Sequence, residues 1–90
     1  MEFTQRHLDA RPSLAMWAKI AESSEWHNIQ EVRASWPSAD AAGQLTVFNI
    51  SGNKYRLIAY VDYVYKKVFI RAVLTHEEYD RERWKDDPWY

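Results

Sequence analysis

Lys54, Arg56, Arg71, His76, Tyr79 and Asp80 fall within one reach of the chain and hold the side-chain types needed to grip a phosphodiester and move protons around it. A guanidinium donates paired hydrogen bonds to phosphate oxygens, and a lysine adds a compact positive charge. An imidazole titrates near neutral pH, and a phenol or amine shifted by its neighbours can also exchange a proton. Cutting RNA without a metal asks for these functions: the 2′-hydroxyl loses a proton, the phosphorane charge is stabilised, and the 5′-oxygen gains a proton.

Arg71 is the leading candidate because it sits between Ile70 and Ala72 in an otherwise apolar stretch, where a charge needs a partner or a ligand. The roles expected are phosphate binding for Arg71 and Arg56, charge assistance from Lys54, acid–base chemistry from His76 and Tyr79, and orientation of His76 or an arginine by Asp80. Lys66 and Lys67, in a turn, could touch RNA. Each residue also has an ordinary use. His76 can bond backbone at a helix start, Tyr79 can pack with its hydroxyl at a rim, and Lys54, Arg56, Lys66 and Lys67 can be solvated surface. Trp84 and Trp89 could stack on a base, although packing back on the sheet is the commoner use.

The elements that must position these residues are strands. Leu45 to Ile50 is rich in strand formers, Ser51-Gly52-Asn53 makes a turn, and Lys54 to Tyr63 reads as a long strand. In it Tyr55, Leu57, Ala59, Val61 and Tyr63 form a core face, and Lys54, Arg56, Ile58, Tyr60 and Asp62 form a mixed face suited to solvent or a ligand. After the turn at Tyr65-Lys66-Lys67, Val68 to Thr75 returns antiparallel. Strict alternation puts Val68, Ile70, Ala72 and Leu74 opposite Phe69, Arg71, Val73 and Thr75, so Arg71 shares the open face with Arg56 if the hairpin register allows. Thr75 then caps a helical turn, HEEYDRERW, with Glu78 three residues on. The tail KDDPWY is short and polar.

The first half reads as helical packing material. Asp9 is a plausible N-cap with Pro12 in the first turn, and Leu14, Trp17, Ile20 and Ala21 make one apolar stripe. Asn28 caps a second helix, IQEVRASW, ended by Trp36-Pro37, and Ser38 to Gln44 is a loop. His7 and His27 read as surface residues. The expected architecture is α+β: a small antiparallel β-sheet with N-terminal helices packed on one face.

The totals fit one globular domain, residues 1–90, with 47% hydrophobic residues and five Trp. With no cysteine there is no disulfide framework, and no metal site or cofactor is expected. The start MEFTQRHLDAR lacks the apolar core of a signal peptide, and no apolar run is long enough for a membrane span, so a cytoplasmic protein is expected. The net charge is −1, but residues 54–76 hold five Lys/Arg against Asp62 alone.

Phe48-Asn49-Ile50, Gly52-Asn53-Lys54-Tyr55-Arg56-Leu57, Val61 and Tyr63, Val68-Phe69-Ile70-Arg71, and Thr75-His76 with Glu78-Tyr79-Asp80 together resemble the HigB-type branch of the RelE/ParE-like bacterial toxins. The HLDA segment, Leu14 with Trp17, and Trp36-Pro37-Ser38-Ala39 extend the resemblance over nearly the whole chain. It implies a RelE-like sheet with N-terminal helices and a metal-independent endoribonuclease that cuts mRNA under translation on the ribosome. It also implies silencing by a HigA-type antitoxin with a helix-turn-helix domain. Longer members begin with a further strand of the MRVIS type, and this chain starts at what resembles its end. The sheet edge would then need a partner strand, a second copy or the antitoxin to cover it. Relatives also tend to be more basic. The competing reading is a catalytically inactive or non-nuclease module on the same fold, acting through protein contact.

Overall fold

A computed structural model describes residues 5–90; the first four residues, where the comparison with a family strand falls, lie outside the described ones. A 3-10 turn, Leu8–Ala10, leads into α1 (Arg11–Ser23) and α2 (Ile29–Ser35), followed by β1 (Asp40–Ala42), β2 (Leu45–Ile50), β3 (Tyr55–Asp62) and β4 (Lys67–Thr75). The chain closes with α3 (His76–Asp80) and a second 3-10 turn, Arg83–Asp86. The strands form one antiparallel sheet in the order β1-β2-β3-β4. The expected α+β class and N-terminal helices are present, and β1 is a strand inside the stretch read as a loop.

The local signals are mostly obeyed. Pro12 sits in the first turn of α1, where its missing N–H is no loss. Asn28 caps α2 by accepting from the Glu31 N–H at 3.0 Å, and Trp36 leaves the helix in an extended conformation ahead of Pro37. Thr75 and Glu78 form a reciprocal capping box at the start of α3. Asp9 departs from expectation: α1 has Ala10 at its N-cap, and the Asp9 carboxylate is used elsewhere.

Leu14 and Trp17 of α1 and Val32 of α2 bury themselves on the sheet face made by Phe48, Ile50, Tyr55, Leu57, Ala59 and Val61. Phe48, fully buried, takes the edge of Trp17 at a ring separation of 5.3 Å and stacks with Trp26 at 6.3 Å.

The opposite face differs from expectation in two ways. It is not open: Ile58 is fully buried there with Leu45, Val47 and Trp84, and Tyr60, Ala72, Leu74 and Tyr79 pack around them. The cover is the chain after β4. Trp84 stacks on Tyr79 at 5.2 Å and donates its indole N–H to the Tyr79 carbonyl, and Trp89 meets Tyr60 at 5.3 Å and Phe69 at 5.7 Å. The tail then reaches β1 and β2, where the Gln44 N–H bonds to the Tyr90 oxygen. Gly43 makes that approach possible. It adopts φ +59°, and a Cβ there would lie 3.1 Å from the Tyr90 oxygen.

The second difference is a bulge. Ile58 pairs with Ala72 but Ala59 pairs with Ile70, so Arg71 is an extra residue in β4. The expected single face of Val68, Ile70, Ala72 and Leu74 is therefore split. Val68 packs with the helical layer, while Ala72 and Leu74 pack on the opposite side and Val73 takes their place among the helices.

Trp84→Ala should cost about 3 kcal/mol or more, because it empties a buried aromatic position. Urea denaturation checks this, and a loss below about 1 kcal/mol would mean that the tail does not cover the face.

Candidate functional site on the second sheet face

The bulge explains how a charge fits into an apolar strand. Unpaired at the bulge, Arg71 keeps the face that alternation gives it with Phe69, and the bulge brings Ala72 onto that face as well; two partners meet Arg71 there. Asp87 of the tail accepts from Nε at 2.8 Å and from Nη2 at 3.1 Å, and the Trp89 ring lies over the guanidinium carbon at 4.0 Å. The two ion-paired side chains are 29% and 16% exposed. The tail is ordered by the same carboxylate, since Asp87 also accepts from the Trp89 N–H at 2.8 Å. The Asp87 carboxyl is held below the ordinary aspartate range, first by the Arg71 guanidinium and then by that backbone N–H.

Arg56 shares this face but is buried, at 8% exposure. It donates to the carbonyls of Asn53 and Tyr55 at 3.0 and 3.1 Å and to the Asn53 side chain, and its guanidinium lies 5.3 Å from the Tyr79 ring centre. Most of its donors thus hold the β2–β3 turn. Tyr79 stands between Arg56 and Trp84, a packed aromatic on this face. His76 and Asp80 face each other across one turn of α3 at 3.0 Å, both largely exposed. Lys67 opens β4, exposed at the sheet edge, and Lys66 bonds to the Tyr63 carbonyl within the turn.

Lys54 is not on the strand. It ends the β2–β3 turn, and its ammonium pairs with Asp9 at 2.5 Å. Asp9 also accepts from the Tyr55 hydroxyl at 2.6 Å, and His7 lies against Tyr55 at a ring separation of 5.2 Å. The sequence reading missed this group, because His7 looked like surface and Asp9 like a helix cap. The only signal for it was the HLDA segment. Asp9 is lowered mainly by its bond from Lys54 and next by that from Tyr55, while Lys54 and Tyr55 are both raised by Asp9. At neutral pH the group is therefore a carboxylate, an ammonium and a neutral phenol.

The Lys54 carbonyl accepts from the His76 N–H at 3.0 Å, which ties the turn to the start of α3. A larger cleft of about 650 Å³, bounded by Met16, Ile20, Trp36 and Asn49, contains none of the expected site residues. Among the described residues no group of three His, Asp or Glu could hold a metal ion.

The model of the HigB toxin family, the RelE-like toxic component of a toxin–antitoxin system, matches residues 10–82. This chain belongs to that family. It is 27% identical over 66 residues to the mRNA interferase HigB of Escherichia coli O6:H1 strain CFT073, covering 70% of this chain and 64% of that protein. With the mRNA interferase toxin HigB of Escherichia coli K12 it shares 41% over 54 residues, 57% of this chain and 52% of that protein. The chain thus spans between about half and two thirds of the length of the curated relatives it matches. Arg56, Arg71, His76, Tyr79 and Asp80 all lie inside the family match, whereas Asp87 and Trp89 lie beyond it.

The Asp9–Lys54 pair has a defined pH window. A depressed Asp9 contributes stability above its unfolded value that is lost as pH falls through the folded one. A raised Lys54 contributes stability below its unfolded value that is lost as pH rises through the folded one. An NMR titration should find the Asp9 carboxyl midpoint below the ordinary 3.8. A midpoint at or above that value would show the pair is not formed in solution.

Proposed function

We propose that this chain is the toxin of a type II toxin–antitoxin pair, an mRNA interferase that cuts translated mRNA on the ribosome and is silenced by a helix-turn-helix antitoxin of the HigA type. The observation that carries the reading is Arg71: at a bulge in an otherwise apolar strand, a guanidinium stands on a face lined by Tyr60, Phe69 and Tyr79. A phosphate-binding fork beside aromatic rings is what a single-stranded RNA backbone and its bases require. The family match and the names of the relatives point the same way.

In the proposed reaction Arg71 holds the scissile phosphate. His76, oriented by Asp80, takes the 2′-hydroxyl proton. The 2′-oxygen attacks phosphorus, the bond to the 5′-oxygen breaks, and Tyr79 supplies the proton to that oxygen. Arg56 supports the site by fixing the turn and flanking Tyr79, with Asp80 on the RNA-facing side of α3. Lys54 adds positive potential from the turn, and Lys66 and Lys67 meet RNA at the sheet end. The chemistry is carried by side chains alone, with no metal or cofactor.

The cytoplasm is the proposed compartment; among the described residues no helix is long and apolar enough to cross a membrane. The outer edge of β4 has no strand partner among the described residues, and Phe69 and Ile70 are exposed there. That edge suits a strand from the antitoxin or a second copy.

A second reading, a non-nuclease binding module on this fold, draws on the engagement of Arg71 by Asp87. Induced expression separates the two. Wild type should arrest growth and leave in-frame cuts in a reporter mRNA by primer extension, and Arg71→Ala and His76→Ala should each lower cleavage on the order of 100-fold. Arrest without cuts, or cuts unchanged in both variants, would favour the binding module.

A further inference from the structure

Asp87 and Trp89 present to Arg71 the two things that a nucleotide would: an anion whose two oxygens accept from Nε and Nη2, and a flat ring against the guanidinium. The ring does not rest on Arg71 alone. Trp89 packs edge-on against both Tyr60 and Phe69, which face each other at 6.5 Å, and a cleft of about 290 Å³ runs between Gln44, Tyr60, Pro88 and Trp89. Apart from the tail, what remains is a guanidinium beside two aromatic side chains of the sheet, with the Gln44 amide in the adjoining β1–β2 turn. Aromatic faces stack bases of any sequence, and a glutamine amide can pair with a base edge.

We propose that Arg71, Tyr60, Phe69 and Gln44 form a nucleotide subsite for single-stranded RNA, and that the tail occupies it in the free protein as an internal stand-in, Asp87 for the phosphate and Trp89 for the base. The tail lies beyond the family match, so the occupant belongs to this chain's own sequence. Substrate binds by displacing residues 87–90 from Arg71 while Trp84 stays seated on Tyr79. The exchange is balanced in charge, one anion for another, and in stacking, one ring for another. Its cost appears as weaker apparent affinity, because only the fraction of molecules with the tail lifted is competent.

The subsite rests on the RNA-cleaving reading, and the test keeps the two apart. The full-length protein and its Asp87→Ala/Trp89→Ala variant would be titrated with a fluorescent single-stranded oligoribonucleotide, with circular dichroism to confirm folding and primer extension to follow cleavage. The folded double variant should bind roughly tenfold more tightly, the worth of one net charge-assisted contact removed from competition. Adding Tyr60→Ala to it should abolish the gain. Unchanged or weaker binding in a folded double variant would overturn the subsite, and so would a gain that survives Tyr60→Ala. Tighter binding with no cleavage by any form would uphold the subsite and sink the nuclease reading. Cleavage with no change in binding would do the reverse.

Discussion

Side chains along a strand alternate between two faces, so one extra residue exchanges the faces of everything beyond it. The step between Ile58 and Ala59 in the β3–β4 register is that residue's footprint. Before the step β4 packs Val68 on the helical side, with the exposed Ile70 at the margin of that side; after it, Val73 joins the helices and Ala72 and Leu74 go to the other layer. Arg71, at the step, is freed from pairing and carries its guanidinium outward beside Phe69. Without the bulge, Leu57 would lose Val73 as its same-face neighbour and the second layer would lose the two residues that flank Ile58. The guanidinium proposed to hold phosphate and the two-sided core thus meet at one backbone irregularity.

The second layer is small and is held by aromatics rather than by a helix of its own. Trp84 anchors it through Tyr79, and Trp89 extends it over Tyr60 and Phe69. Removal of this cover would expose Ile58, which is fully buried, so the tail contributes to folding as well as to the site. Its two anchors differ in kind. Trp84 is a buried hydrophobic plug, whereas Asp87 and Trp89 contact a partly exposed cation and are the residues proposed to lift. Stability and access to Arg71 can therefore be tuned at separate residues of one short segment.

Much of this was legible in the sequence where local rules govern. The α1 stripe of Leu14 and Trp17, the Asn28 and Thr75 caps, the core face of β3 and the family resemblance depend on near-neighbour spacing, and they appear as read. What was not legible depends on long-range geometry. Alternation alone could not reveal a bulge at Arg71, because no glycine or other local signal marks it. Asp9 reads as a cap until the β2–β3 turn brings Lys54 and Tyr55 to it from more than forty residues away. The short, polar tail gave no sign of where it would dock, yet its polar residue Asp87 is what docks it, on a charge that the same sequence had flagged as needing a partner.

The most direct test of the second sheet face as the RNA site is an NMR footprint of the protein with a 2′-O-methyl oligoribonucleotide, which binds but lacks the attacking hydroxyl. The amide and side-chain shifts should concentrate at Tyr60, Phe69, Arg71, His76 and Trp89, with the Trp89 indole moving most. Shifts centred instead on Met16, Ile20 and Trp36, around the cleft on the helical side, would place RNA elsewhere and contradict the assignment of Arg71.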